Sequence, residues 1–282
     1  MTLTEDERLD RTDAALPDAH NDVAIDLVAH WDETRRVVVR QGGRAAFACL
    51  VTPWQGQSWI ITDCVPQRRD PELGSVLLAV CDRLATEWGM TQIITISPAS
   101  WEQRLEAGGA DLLQRIVPMW LLLDEDLLRL HGRTLPGGYR IAPMEASVDE
   151  PVALGQLSAD ADRDGDLRVW REVLSGCYGP VIPEASLTIV HGSSLCAAIG
   201  VTERHGAPLV SHFVTAAAER GTGLGRALLV ESLKRLSESG YVDCHLNVIE
   251  DNVIARRLYR SIGFIQARPT LRVTYHSGFG NA

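Results

Sequence analysis

The sequence predicts an α/β protein built as a tandem pair of domains, each a twisted mixed sheet flanked by helices, and three observations carry that expectation. Strand-like runs alternate with amphipathic helical segments along nearly the whole chain. The segment order of the first half returns in the second: Val51-Thr52 corresponds to Val201-Thr202, and Arg69, Gly74 and Trp88-Gly89 correspond to Arg220, Gly225 and Ser239-Gly240, at a nearly constant offset. A chain of 282 residues is long enough for two domains that each bury a core.

Residues 1–20 form an acidic leader, and Asn21 to Trp31 has the apolar spacing of a helix. Val37 to Arg40 and Ala45 to Thr52 read as strands joined by the turn Gln41-Gly42-Gly43, and Ser58 to Val65 as a third strand. Leu73, Val76, Leu77, Val80 and Leu84 recur at helical spacing, so a helix is expected from Leu73 to Trp88, with Gly89 as its C-cap. A strand at Ile93 to Ile96, a short helix at Trp101 to Glu106 and a strand at Ile116 to Leu123 complete a first domain over residues 21–130. Residues 131–138 combine turn formers with no apolar period and read as a linker.

The second domain, residues 139–282, opens with a strand from Tyr139 to Pro143. Helical segments run from Val148 to about Gly176, broken by the acidic loop Asp160 to Asp166. Strands at Leu187 to Val190, Leu195 to Thr202 and Leu209 to Thr215 precede a helix from Leu224 to Leu236 with Leu229, Leu233 and Leu236 on one face. A strand at Val242 to Val248, a helix at Asn252 to Ile262 and a last strand at Leu271 to Tyr275 follow.

Composition excludes several function classes. With 45% apolar and 23% charged residues and no low-complexity tract, the chain is that of a globular protein. No apolar run approaches the ~18 residues of a membrane span and the N-terminus lacks a secretion pattern, so a cytoplasmic protein without a membrane partner is expected. The six scattered cysteines include no C-x-x-C pair, which makes buried thiols the expectation and a metal site improbable. A net charge of −10 disfavours nucleic acid and fits a cationic or amine-bearing substrate, bound by a monomer or homodimer.

The chemistry is concentrated in Glu219-Arg-Gly-Thr-Gly-Leu-Gly-Arg226, a glycine-rich turn between a strand and an amphipathic helix. Such a turn presents backbone N–H groups at the positive end of a helix dipole, and Gly221, Gly223 and Gly225 leave room for a phosphate to reach the main chain. No Gly-Lys-Ser/Thr follows, which excludes a nucleotide P-loop, and the context of a dinucleotide fold is missing. A bare glycine-rich turn can also be only a tight connection.

Arg220-x-x-Gly223-x-Gly225 resembles the Q/R-x-x-G-x-G/A signature of the GNAT acetyltransferase superfamily. The second half of that pattern stands at Leu246-Asn247-Val248, Asn252, Ala255, Leu258-Tyr259 and Gly263-Phe264. The resemblance covers about Leu187 to Tyr275 and implies two parallel strands that splay into a slot for acetyl-CoA. By that resemblance the CoA diphosphate lies on Arg220, Gly221, Thr222, Gly223, Leu224, Gly225 and Arg226. The pantetheine arm pairs with the strand ending at Val214 and Thr215, whose main chain also stabilises the oxyanion. Asn252 either binds the CoA arm, with Ala255 beside it, or caps its helix. Tyr259 matches the family's tyrosine acid, which protonates the departing thiolate; a plain core role is the alternative.

Such families place a base on the strand that here reads Pro208 to Thr215, but the aligned positions hold Leu209 and Ser211. His212 is one residue out of phase. A strand bulge would reverse its facing, which makes it the leading base candidate ahead of Glu203, His205 and His245. A water chain or a substrate arriving deprotonated are the other routes.

The first copy carries Asp70, Pro71 and Glu72 where the second has Gly221, Thr222 and Gly223. Two carboxylates and a lost N–H donor should exclude a phosphate, and Glu106 stands opposite Tyr259, so this copy is expected to be a degenerate domain without a CoA site. The resemblance implies an acetyl-CoA-dependent N-acetyltransferase acting on a small-molecule amine. Tandem members of the superfamily include mycothiol synthases and antibiotic-modifying enzymes. A protein-acetylating enzyme and a non-catalytic CoA sensor or scaffold are the alternatives.

Overall fold

The computed structural model describes residues 23–31, 34–54, 58–66, 70, 72–88, 92–124, 134–144, 154, 157, 163–204 and 206–276. The expected leader, the helical segments ahead of residue 163, the first part of the linker, Arg69, Pro71, Gly89 and His205 lie outside them. The chain forms two compact units: Met1–Ile116 with Ile249–Asp251 and Arg268–Ala282, and Val117–Val248 with Asn252–Ala267. This division departs from domains over 21–130 and 139–282, because segments distant in sequence complete each sheet.

In the first unit β1 (Val23–Trp31), β2 (Thr34–Gln41), β3 (Arg44–Trp54) and β4 (Ser58–Pro66) form an antiparallel run. The helix expected from Asn21 to Trp31 is therefore a strand, paired with β2 from Val23↔Gln41 to Trp31↔Thr34. A nearly continuous apolar run such as VAIDLVA does not separate helix from strand by period, and the neighbouring strand supplies the deciding main-chain partners. Gly42 and Gly43, at φ 57° and 72°, make the β2–β3 turn, as two-residue hairpins with right-handed twist require.

Helix α1 (Leu73–Trp88) crosses from β4 to β5 (Gln92–Pro98), which pairs parallel to β4. Its stripe of Leu73, Val76, Leu77, Val80 and Leu84 is buried against Phe47, Ile61, Ile93 and Trp101. Short α2 (Glu102–Ala107) leads into β6 (Asp111–Leu122). Strand β13 (Thr270–His276) lies between β5 and the first part of β6, antiparallel to both, and contributes Leu271 and Val273 to this core. The last strand of the chain thus belongs to the first unit, contrary to the expectation that it closes the second domain: β5 and β6 each have an open edge that β13 satisfies.

In the second unit the order is the remainder of β6, β11 (Asp243–Ile249), β10 (Ala207–Thr215), β9 (Ser194–Arg204), β8 (Leu187–His191) and β7 (Tyr139–Pro143). A strand absent from the sequence reading, β12 (Ile265–Gln266), pairs with β6 at Trp120 and Met119. Helix α3 (Arg163–Leu174) takes in residues 163–166 of the stretch expected to be an acidic loop. Acidic residues in a first helical turn oppose the positive end of the dipole, so a charged run there can open a helix as well as form a loop. Helix α4 (Leu224–Glu238) links β10 to β11, and α5 (Val253–Ile262) follows β11.

The succession β3, β4, α1, β5, α2 of the first unit matches β9, β10, α4, β11, α5 of the second, with Arg44 and Ser194, Leu73 and Leu224, and Gln92 and Asp243 opening equivalent elements. The second sheet is packed on both faces. Ile199, Val201, Val210, Leu228, Leu229, Leu233, Tyr259 and Phe264 share one cluster with α4 and α5, and Leu154, Leu157, Trp170, Val173 and Ala198 form another with α3. No helix among the described residues is long and apolar enough to cross a membrane.

Candidate active site

Strands β10 and β11 are parallel but share only two residue pairs, Leu209↔His245 and Val210↔Leu246. Beyond Val210 they separate, while β10 stays paired with β9 to Thr215↔Ala197. The separation begins at a β-bulge: Val210 pairs with Val201, His212 with Gly200, and Ser211 is the extra residue. A bulge bends its strand and increases the local twist, which pulls β10 away from β11. The result is a slot between two parallel strands that begins beyond the Val210↔Leu246 pair.

The same bulge sets the facing of the next side chains. Val210 and Phe213 pack with the α4 and α5 cluster, while Val214 packs with the α3 cluster. His212 faces α3, and its imidazole meets the fully buried Trp170 edge to face at 4.7 Å between centroids. Gly200, opposite His212, admits that indole, since a Cβ there would stand 2.9 Å from the Trp170 ring. Ser211 Oγ lies 2.7 Å from the buried Thr202 Oγ1, which donates to the Tyr178 carbonyl at 3.1 Å. Two short polar side chains thus anchor the bulge on the α3 side.

At the open end of the slot, Ala217–Glu219 makes one 3-10 turn before the glycine-rich loop. Gly221 and Gly223 have φ of 78° and 94°, and Gly223 is the N-cap of α4 with no side-chain hydrogen bond to the helix. The first intrahelical bond runs from the Ala227 N–H to the Gly223 carbonyl, so the N–H groups of Gly223, Leu224, Gly225 and Arg226 precede any intrahelical acceptor. Gly225 lies against β10, where a Cβ would be 3.0 Å from Thr215 Oγ1 and 3.4 Å from the Phe213 ring. Arg220 Nε donates to the Thr215 carbonyl at 3.2 Å, and Thr222 Oγ1 donates to the Glu219 carbonyl at 2.6 Å. Arg226 donates to Ser261 Oγ at 2.7 Å, tying α4 to α5. Val214, Thr215, Arg220, Gly221, Thr222, Gly223, Leu224, Gly225 and Arg226 therefore stand together at one end of the slot, and Leu224 anchors the helix start in the core.

On α5, Asn252 is the N-cap: its Oδ1 accepts from the Ala255 N–H at 3.1 Å. The side chain thus performs the capping role of its two sequence readings. Tyr259 is 7% exposed and packs edge-on against Phe264 at 5.8 Å. Burial pushes its phenol up to about 12, and its hydroxyl makes no hydrogen bond among the described residues. Tyr259 and His212 belong to packing clusters on opposite faces of the sheet. Glu203 and His245 stand at the other end of β10 and β11. Glu203 accepts from the Tyr241 hydroxyl at 2.9 Å, and His245 Nε2 lies 3.6 Å from Asp243 Oδ2.

Trp170, Thr202 and Ser211 were missed by sequence reasoning. Trp170 is the one aromatic residue of a helix that mixes charged and aliphatic side chains, RDGDLRVWREVL, and that was the available signal. The two hydroxyls gave none. No group of His, Cys, Asp or Glu that could hold a metal occurs among the described residues.

The first unit handles the corresponding helix start differently. Asp70 Oδ1 accepts from the Glu72 N–H at 3.0 Å, and the Asp70 carbonyl accepts from the Leu73 N–H. Arg104 is ion-paired with Glu72. One of the donors ahead of α1, the Glu72 N–H, is thus engaged by a carboxylate, as in side-chain capping.

Comparison with known proteins agrees with this geometry. Residues 180–275 match the acetyltransferase (GNAT) domain family. A stretch of 57 residues is 49% identical to a mycothiol acetyltransferase of Thermobispora bispora, and it spans 20% of this chain and only 19% of that protein. The fold is similar to a GCN5-related N-acetyltransferase from Sphaerobacter thermophilus (TM-score 0.60, 19% identity, 86% of this chain and 80% of the other). It is also similar to a tandem GNAT protein from the clavulanic acid biosynthesis pathway (TM-score 0.58, 20% identity, 92% and 85%). The glycine loop and the strand pair that parts after Val210 thus lie within the same residues, 180–275, that match the GNAT acetyltransferase domain family.

Proposed function

We propose that the chain is an acetyl-CoA-dependent N-acetyltransferase for a small-molecule amine, with its working site in the second unit. The observation that carries this reading is the uncapped start of α4, with Gly223 in the left-handed region, facing the strand pair that opens at Ser211. Backbone N–H groups free of side-chain caps suit a diphosphate, and Arg220 adds a cation at the same place. The slot is bordered by β10 main chain beyond its pairing with β11, which suits the amide groups of a pantetheine arm.

Bound there, acetyl-CoA supplies an activated acyl thioester. The chain's own residues then perform two proton tasks. His212, held on Trp170, takes the proton of the attacking amine. Tyr259, whose hydroxyl has no hydrogen-bond partner among the described residues, delivers a proton to the departing thiolate. Burial makes Tyr259 a weaker acid than free tyrosine, but a thiolate formed in the same dry surroundings is raised in basicity as well, which keeps the two matched. His212→Ala is expected to lower kcat by about a hundredfold, with little change in the dissociation constant of acetyl-CoA.

The first unit is a degenerate copy without a CoA site: the Asp70 carboxylate occupies the helix start, and the Glu72 charge opposes an anion. Titration calorimetry of the full chain with acetyl-CoA is expected to give one site per chain. Two sites would overturn the degenerate assignment, and no heat would overturn the cofactor reading. Thiol release from acetyl-CoA over a panel of small amines tests turnover. Tight binding without release for any amine or peptide would favour a sensor, and release with peptides alone would favour a protein-acetylating enzyme.

A further inference from the structure

The diphosphate loop begins immediately after a carboxylate. Glu219 precedes Arg220 and Gly221, and its own carbonyl is bonded to Thr222 within the loop. An unrestrained carboxylate at that position would place a negative charge beside the N–H groups of the α4 start and repel any phosphate there. The structure restrains it. Tyr139, the first residue of β7, donates its hydroxyl to both Glu219 carboxylate oxygens, at 3.0 and 3.1 Å. The Tyr139 ring is itself fixed by stacking on His191 of β8, with centroids 4.4 Å apart and planes within 13°.

The carboxylate is thereby drawn toward the β7 and β8 side of the unit. The hydrogen bond to Glu219 raises the Tyr139 phenol, and the Cys196 thiol, at the start of β9, is raised by burial and then by the Glu219 charge. Neither Tyr139 nor His191 belongs to the glycine motif, and Tyr139 stands 80 residues before Glu219 in the chain.

We infer that Tyr139 is a positioning residue for cofactor binding, which holds the Glu219 carboxylate away from the diphosphate loop and so keeps the α4 start attractive to a phosphorylated ligand. The inference rests on the reading of that loop as the CoA diphosphate site. Its role is electrostatic and confined to binding, so it separates from both a fold role and a catalytic role. Freed from Tyr139, the carboxylate samples rotamers nearer the loop, and the affinity for a polyanionic ligand falls while the chemical step is untouched.

The test is a double-mutant cycle in the full chain, read by calorimetry with acetyl-CoA and, in parallel, with pantetheine, which carries no phosphate. Tyr139→Phe keeps the ring on His191 and removes the hydroxyl. It is expected to raise the acetyl-CoA dissociation constant roughly three- to tenfold at low ionic strength, less at high salt, with kcat unchanged. Glu219→Gln alone is expected to tighten acetyl-CoA binding or leave it equal. In the Glu219→Gln background Tyr139→Phe should have no further effect, and pantetheine should bind all four proteins alike. An equal loss in the Glu219→Gln background, or an equal loss for pantetheine, would mean that Tyr139 only supports the fold and would overturn the inference. Binding by the wild type with Tyr139→Phe unchanged overturns it alone, whereas no binding by the wild type overturns the cofactor reading beneath it.

Discussion

Tyr259→Phe lowers kcat by about two orders of magnitude and leaves the acetyl-CoA dissociation constant within about twofold of wild type, the effect expected when a general acid is removed from a site that still binds. The substitution deletes one oxygen. The ring keeps its packing on Phe264 and its place in the α4 and α5 cluster, and no hydrogen bond among the described residues is lost, so stability should hardly change. Equal losses in binding and turnover would instead mark Tyr259 as a core residue. The same burial has a pH signature. A phenol pushed up to about 12 keeps its proton through neutral and mildly alkaline solution, so the rate should show no fall from loss of this acid until pH approaches 12. The linkage to stability has the same sign: the folded state prefers the neutral phenol, an advantage intact below the ordinary value of 10 and lost as pH rises toward about 12.

Gly223→Val is the second large effect. The residue caps α4 at φ 94°, where a β-branched side chain is strained by about 1–2 kcal/mol or more, and its own N–H opens the set of donors at the helix start. Relief of that strain rotates the loop peptide and dismantles the cradle. Acetyl-CoA affinity is expected to fall about a hundredfold or more in calorimetry, while thermal unfolding shifts by only a few degrees, because the strain is local and α4 stays anchored by Leu224, Leu228 and Leu229. Retained affinity with a lowered melting temperature would show that the loop serves only to connect β10 to α4.

Much of the secondary structure was legible because its signals are local. The apolar stripe of α1 begins at Leu73 and the helix spans Leu73–Trp88, as its spacing requires. Strand β7 runs from Tyr139 to Pro143, and α4 begins at Leu224 directly behind the glycine run. Segments without such signals were misread. The stretch VAIDLVA of β1 is apolar at almost every position, and β12 is two residues long, below the reach of any period.

The candidate site divides along the same line. The glycine-rich turn from Arg220 to Arg226 could be placed before α4 because it is contiguous main chain, and contiguous main chain is written in consecutive residues. The sequence left Asn252 between two roles, and its contact with the Ala255 N–H shows the capping one. His212 could be named only on condition of a bulge, which lies at Ser211 and turns the imidazole toward α3. Whether a strand carries a bulge depends on its neighbour, here β9 and the hydroxyl of Thr202.

By itself, then, the sequence determined most of the succession of strands and helices, the repeat that relates β3, β4, α1 and β5 to β9, β10, α4 and β11, and the motif residues whose resemblance to the GNAT superfamily covers about Leu187 to Tyr275. Only the tertiary structure decided that β13 completes the first unit, that β10 and β11 part after Val210, and that Tyr139 holds Glu219. The physical reason is range: propensity, periodicity and loop chemistry act over a few residues, while strand partners and the side chains that restrain a charge are brought together from distant parts of the chain by burial.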